Sequence, residues 1–175
     1  TQVAVLGLGV IGTLTAEALV RTGFLVSGWA RSPKNIPKVD CHHGHQALER
    51  VLANADYVCS ILPSTSATAG LFNAERLAQM KPGATLINVG RGDLIDDTAL
   101  LAALDRGQPA HAVLDVFRQE PLPSEHPFWA HPGVTVTPHV SGWRIDDSIE
   151  DVARNYQRLA ANQPLLNEVD REAGY

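Results

Sequence analysis

Little cysteine, no long apolar run and no excess of positive charge mark this 175-residue sequence. Cys41 and Cys59 cannot supply the disulfide framework of a small secreted scaffold, so a reducing, cytoplasmic setting is expected. No apolar stretch reaches the roughly 18 residues of a membrane span, and no signal-peptide pattern precedes Thr1, so no membrane partner is expected. Lys and Arg number 14 against 19 Asp and Glu, a formal net charge of −5, which argues against a polybasic nucleic-acid binder. Apolar residues at 45% with charged residues at 19% exclude a disordered or collagen-like chain. What remains is a globular chain long enough to bury its own core.

Short apolar runs alternate with helical patterns. Strands are predicted at Val3–Leu6, Phe24–Trp29, Val39–His42, Tyr57–Leu62, Thr85–Val89, Ala110–Leu114 and Val134–Thr137. Helices are predicted at Val10–Arg21, Gln46–Ala53, Asn73–Met80, Leu94–Asp105 and Ile145–Ala161. In the last of these, Ile145, Ile149, Val152, Tyr156 and Leu159 share one face. This alternation predicts an α/β doubly wound parallel sheet covered on both faces. In that class ligands sit at the carboxyl ends of the strands.

Gly7-Leu8-Gly9-Val10-Ile11-Gly12 follows the first strand and opens the first helix, the context that separates a dinucleotide-binding turn from a plain tight turn. Gly7 permits the turn, Gly9 admits a pyrophosphate, and Gly12 lets helix and sheet pack closely. Val10 and Ile11 begin the helix whose N–H groups face the phosphates. About 20 residues on, such folds place Asp or Glu to bind the ribose hydroxyls. Here Trp29-Ala30-Arg31-Ser32 stands instead, with Lys34 close behind. Arg and a hydroxyl suit a 2′-phosphate, so NADP(H) is favoured, with NAD(H) second. The alternative is a solvated basic loop. Leu62, Pro63 and Ser64, after the fourth strand, are expected to line the adenine or ribose side, or else to form a simple strand-ending turn.

Three further strand ends carry chemistry. Val89-Gly90-Arg91-Gly92 places a guanidinium where it can clamp a carboxylate in a bidentate way. Asp115 and Glu120 follow the next strand, and Thr137-Pro138-His139 ends the one after. A His beside a carboxylate is a candidate general acid, since an unperturbed imidazole titrates at about pH 6.5. Taken singly each has a structural alternative: Arg91 as an ion-pair partner, Glu120 as a solvated acid, His139 as a core histidine. Their joint occurrence after successive strands favours a site.

The segments GLGVIG (7–12), ILPSTSATAGLFN (61–73), NVGRGDLID (88–96), LDVFRQEPLP (114–123) and TPHVSG (137–142) together closely resemble the D-isomer-specific 2-hydroxyacid dehydrogenases. Within that family the likeness is to bacterial glyoxylate/hydroxypyruvate reductases that prefer NADPH. The resemblance implies a Rossmann-like cofactor domain of a two-domain dehydrogenase. Arg91 would hold the substrate's carboxylate and carbonyl oxygen, His139 would donate the proton, and Glu120 would pair with His139. Asp115 and Ser141 would lie near the nicotinamide, together with Val89, Gly90, Arg91 and His139. A small 2-ketoacid is the implied substrate and a homodimer the implied assembly. Where many relatives carry Ala-Gly or Ala-Ala, this sequence has Ser141-Gly142, followed by Trp143, which could shape a pocket or pack.

In the family a substrate domain precedes the cofactor domain. The expected organisation is a dinucleotide-binding domain at 1–143 and a segment at 144–175 that would return to a substrate domain lacking here. Turnover by this chain alone is therefore expected to be poor. A dinucleotide sensor of the same fold is the second reading, disfavoured because a sensor need not keep Arg91, Glu120 and His139 together. Asp40-Cys41-His42-His43-Gly44-His45 invites a metal reading, but its ligands crowd into one run with no second cluster to close a shell, so no metal is expected. Cys59, in an apolar strand, is expected to be an inert buried thiol.

Overall fold

A computed structural model describes residues 1–142 and 146–169, with backbone alone for 146–148. Trp143, Ile145 and the tail from Asp170 to Tyr175 lie outside the described residues, as do the side chains of Asp146 and Asp147. The chain divides into two units, Thr1–His139 and Val140–Tyr175.

The first unit is built on seven strands: β1 (Gln2–Leu6), β2 (Leu25–Ala30), β3 (Val39–His43), β4 (Tyr57–Ser60), β5 (Thr85–Asn88), β6 (His111–Leu114) and β7 (Val134–Val136). They form one sheet in the order β3-β2-β1-β4-β5-β6-β7. Every pairing is parallel. Four helices connect them: α1 (Val10–Arg21), α2 (His45–Asn54), α3 (Ala74–Ala78) and α4 (Asp97–Asp105). The second unit holds α5 (Asp146–Ala160). Its Ile149, Val152, Tyr156 and Leu159 are exposed. There the Asn155 amide brackets the Leu166 backbone, accepting from its N–H at 2.7 Å and donating to its carbonyl at 3.1 Å.

Two cores explain why the strands read as unbroken apolar runs. Alternation along β1 sends Ala4 and Leu6 into one cluster and Val5 into the other. The larger cluster gathers Leu48, Leu52, Phe72, Leu86, Leu100 and Phe128 under α2, α3 and α4. The smaller packs Leu8, Ala16, Val26 and Ile36 around α1. Each fully buried leucine contributes about 2 kcal/mol of transfer free energy.

Several boundaries differ from expectation, each for a local reason. β4 ends at Ser60. Beyond it the Ile61 and Leu62 backbone passes beneath Gly7 and Gly90. α4 begins at Asp97 because Asp96 caps it, accepting from the Ala99 N–H at 3.0 Å, while Gly92–Leu94 forms a separate 3₁₀ turn. Asn73 likewise caps α3 from outside by accepting from the Arg76 N–H. The order reverses between β1 and β4, so a switch point opens there at the strands' carboxyl ends.

Candidate active site

The glycine turn lies at that switch point. Gly7 has φ +102°, and a Cβ there would stand 2.9 Å from the Ile61 carbonyl oxygen. A Cβ on Gly12 would fall 1.7 Å from the Gly7 oxygen, so the helix can approach the turn only without one. A Cβ on Gly9 would meet nothing within 4 Å. Gly9 also starts α1 with no side-chain cap, so no capping side chain takes up the first-turn N–H groups. An uncapped twelve-residue helix beside an open glycine fits a pyrophosphate. Val10 and Ile11, 77% and 68% exposed, flank the opening.

At the end of β2, Ala30 is buried and brings no carboxylate, and Arg31 and Ser32 are exposed. The Trp29 ring turns into the core, with its indole N–H donating to the Gly44 carbonyl at 2.8 Å. Leu62 is also a core side chain. These two expected cofactor residues therefore offer main chain, not side chain, to the crevice. Trp29 uses its carbonyl to accept the Gly7 N–H at 2.9 Å. Pro63 is half-buried and Ser64 is exposed, with the Ser64 hydroxyl bonded to the Asp93 carboxylate.

Arg91 is aimed by its neighbours. The buried Asn88 at the end of β5 donates its amide to the Arg91 carbonyl at 2.8 Å and accepts the Gly90 N–H at 3.2 Å. A Cβ on Gly92 would fall 1.9 Å from the Phe117 carbonyl carbon, so the loop lies flush against the one that follows β6. The exposed Arg91 guanidinium donates to the Gly90 carbonyl at 2.7 Å. Among the described residues no carboxylate lies within ion-pair distance of it. Asn88 and the Ser64–Asp93 bond escaped sequence reasoning. An Asn closing an apolar strand was the available signal for the first, whereas the second joins loops 29 positions apart.

Glu120 and His139 meet directly. His139 Nδ1 lies 2.8 Å from Glu120 Oε2, and Glu120 Oε1 accepts the Phe117 N–H at 2.9 Å. His139 has φ +54°, a left-handed conformation that costs a non-glycine residue about 1–2 kcal/mol. Such strain clusters at functional sites. Bonding to His139 and to the Phe117 N–H holds the Glu120 carboxyl below its ordinary value, against slight burial, and the charges of His139 and Arg91 act in the same direction. All three expected catalytic residues thus share one electrostatic neighbourhood. With Nδ1–H directed at an ionised carboxylate, imidazole Nε2 is left for proton transfer. Asp115, at the end of β6, is buried and accepts the Thr137 hydroxyl. Ser141 belongs to the second unit. Among the described residues no cluster of three His, Cys, Asp or Glu side chains could hold a metal ion, and no helix is long and apolar enough to cross a membrane.

Known proteins share this sequence and this fold. The NAD binding domain of the D-isomer specific 2-hydroxyacid dehydrogenases matches residues 1–141. Glyoxylate/hydroxypyruvate reductase A of Photorhabdus laumondii is 41% identical over 174 residues, covering 99% of this chain and 56% of the relative. The chain therefore spans little more than half the length of that protein. A D-isomer specific 2-hydroxyacid dehydrogenase from Xanthobacter autotrophicus Py2, solved with NADPH and MES, is 47% identical with a TM-score of 0.95, covering 99% of this chain and 72% of that one. An NADPH-dependent glyoxylate/hydroxypyruvate reductase from Sinorhizobium meliloti, solved with NADP and sulfate, is 35% identical with a TM-score of 0.95, covering all of this chain and 57% of that one.

Proposed function

The chain belongs to the D-isomer specific 2-hydroxyacid dehydrogenases, and on that premise we propose that it is the cofactor-binding half of an NADPH-dependent reductase of a small 2-ketoacid, glyoxylate or hydroxypyruvate. The observation that carries this reading is the Glu120–His139 pair at 2.8 Å within reach of the Arg91 charge.

When bound, NADPH would supply the hydride for the carbonyl carbon. The first turn of α1 and Gly9 would hold its pyrophosphate, and Arg31 and Ser32 its 2′-phosphate. Arg91 binds the substrate carboxylate in bidentate fashion and polarises the neighbouring carbonyl oxygen. That oxygen gains negative charge as the carbon is reduced. His139 Nε2 donates a proton to it, giving the 2-hydroxyacid. Glu120 holds Nδ1 and orients the ring so that Nε2 faces the substrate oxygen. Val89, Gly90 and Asp115 would complete the nicotinamide side. Homodimer assembly and a cytoplasmic setting belong to the same proposal.

The test has two parts. Titration of the 175-residue chain with NADPH and NADH, repeated with Arg31→Ala, is expected to show tighter NADPH binding that the substitution abolishes. A version carrying the substrate domain is expected to oxidise NADPH with glyoxylate or hydroxypyruvate. Indifference to the 2′-phosphate, or no turnover with either acid, would refute the reading.

A further inference from the structure

Five of the seven histidines have their rings engaged. His42 bonds Asp40 and Arg50, His111 bonds Thr135, His126 meets Asp97 and the Phe128 N–H, His131 bonds Asp105 and the Gly133 N–H, and His139 bonds Glu120. His43 and His45 are the other two, and no hydrogen bond or ion pair among the described residues involves either ring. They flank Gly44, the residue whose carbonyl the Trp29 indole grips at 2.8 Å. The turn after β3 is thus fastened to β2, the strand that leads to Arg31.

Register and alternation place His43 further. Ala30 and His43 are direct partners across the β2–β3 pair. Val39 and Cys41 pack on the same cluster as Ala30, so the alternation of β3 puts exposed His43 on that face beside the Ala30 methyl. Position 30 is where a fold of this kind meets the ribose 2′ position. Ala30 leaves the space unfilled by a carboxylate. We propose that His43 is a second 2′-phosphate contact, reaching in from β3 beside Arg31 and Ser32, and so helps to determine specificity for NADP(H). This rests on the NADPH reading above.

The titratable and charged groups on β3 and on the elements packed against it are Asp40 and His42 on β3, Arg31 and Lys34 after β2, His45, Glu49 and Arg50 on α2, and Glu17 and Arg21 on α1. Asp40, His42 and Arg50 are bonded among themselves. Two titrations oppose one another near neutrality. A phosphate monoester gains charge above about pH 6, which strengthens its bond to an arginine that stays cationic. An imidazole loses its charge over the same range. With Arg31 alone, preference for the phosphate would rise with pH; with His43 added, it stays level or falls.

The experiment is calorimetric titration of the 175-residue chain with 2′,5′-ADP and with 5′-AMP at pH 6 and pH 8, for the natural sequence and for His43→Ala. His43→Ala is expected to lower the preference for 2′,5′-ADP by about five-fold or more at pH 6, to change it little at pH 8, and to leave 5′-AMP binding intact. Clear preference for 2′,5′-ADP that His43→Ala leaves unchanged at both pH values would overturn this inference and leave the NADPH reading standing. Equal losses of both nucleotides would overturn it too, since His43 would then be acting on the fold. No preference in the natural sequence at either pH would refute the NADPH reading itself.

Discussion

Glu120 is held from two sides, with Oε2 2.8 Å from His139 Nδ1 and Oε1 accepting the Phe117 N–H at 2.9 Å. Those two bonds are the main reasons its carboxyl titrates below the ordinary 4.5. Carboxyl-carbon NMR is expected to place Glu120 below that value, and His139→Ala to return it upward, because the bond to His139 is the largest cause. A midpoint at or above 4.5 in the natural sequence would show that the pair does not persist in solution.

The same shift has a consequence for stability. A carboxylate with a lowered folded pKa stabilises the fold above its unfolded value, and that contribution is lost as pH falls through the folded pKa. The Glu120 side chain is 37% exposed and that of His139 51%, so solvent screening keeps the effect small. Glu120→Gln should lower the Tm slightly at pH 6, with the difference closing as the pH approaches 3. A difference that widened on acidification would contradict the sign.

His139→Gln and Glu120→Gln separate the acid from the group that orients it. In a version carrying the substrate domain, loss of the proton donor is expected to lower kcat by about 10²–10⁴-fold. Glu120→Gln keeps an oxygen for Nδ1–H but not the charge, and is expected to cost less, about 10–100-fold. Steady-state kinetics with glyoxylate would check this; full activity of His139→Gln would remove it from the mechanism.

Arg91→Lys should behave almost like a deletion. A lysine cannot reproduce the bidentate fork, so kcat/KM for the ketoacid should fall by about 10–100-fold while NADPH affinity is unchanged. Retention of kcat/KM would mean that a point charge suffices.

Gly9→Ala and Gly12→Ala, three positions apart, should fail in different ways. The new Cβ at Gly9 meets open space, so its stability cost is expected to stay within about 1 kcal/mol while NADPH binding weakens. The Cβ at Gly12 would overlap the Gly7 carbonyl at 1.7 Å, and destabilisation of about 3 kcal/mol or more is expected. Thermal melts beside nucleotide titrations distinguish the two. Unfolding by Gly9→Ala would contradict the open cradle.

Burial alone raises the Cys59 thiol to about 11. In native protein at pH 8 it should resist a thiol reagent and react only on unfolding. Rapid modification of both cysteines in the folded state would contradict that placement.

Much of this was legible locally. α1 runs from Val10 to Arg21 as its periodicity predicts, because the glycine turn starts it and Gly23 follows its end. The alternation of short apolar runs with helices predicts the parallel sheet because both faces of its central strands, β1 and β2, are buried. Arg91, Glu120 and His139 were legible as strand-end residues. Their contacts were not. The Glu120–His139 bond spans 19 positions, the Trp29–Gly44 bond 15 and the Ser64–Asp93 bond 29. The turns of Trp29 and Leu62 into the core belong to the same class, since they depend on which helix covers which face. The elements, the glycine turn and the residue types at the strand ends are written locally, because turn chemistry and side-chain period act between near neighbours. Which strand ends adjoin, and so the meeting of the Glu120 carboxylate with the His139 imidazole within reach of the Arg91 charge, follows from strand order, which depends on how the two cores pack.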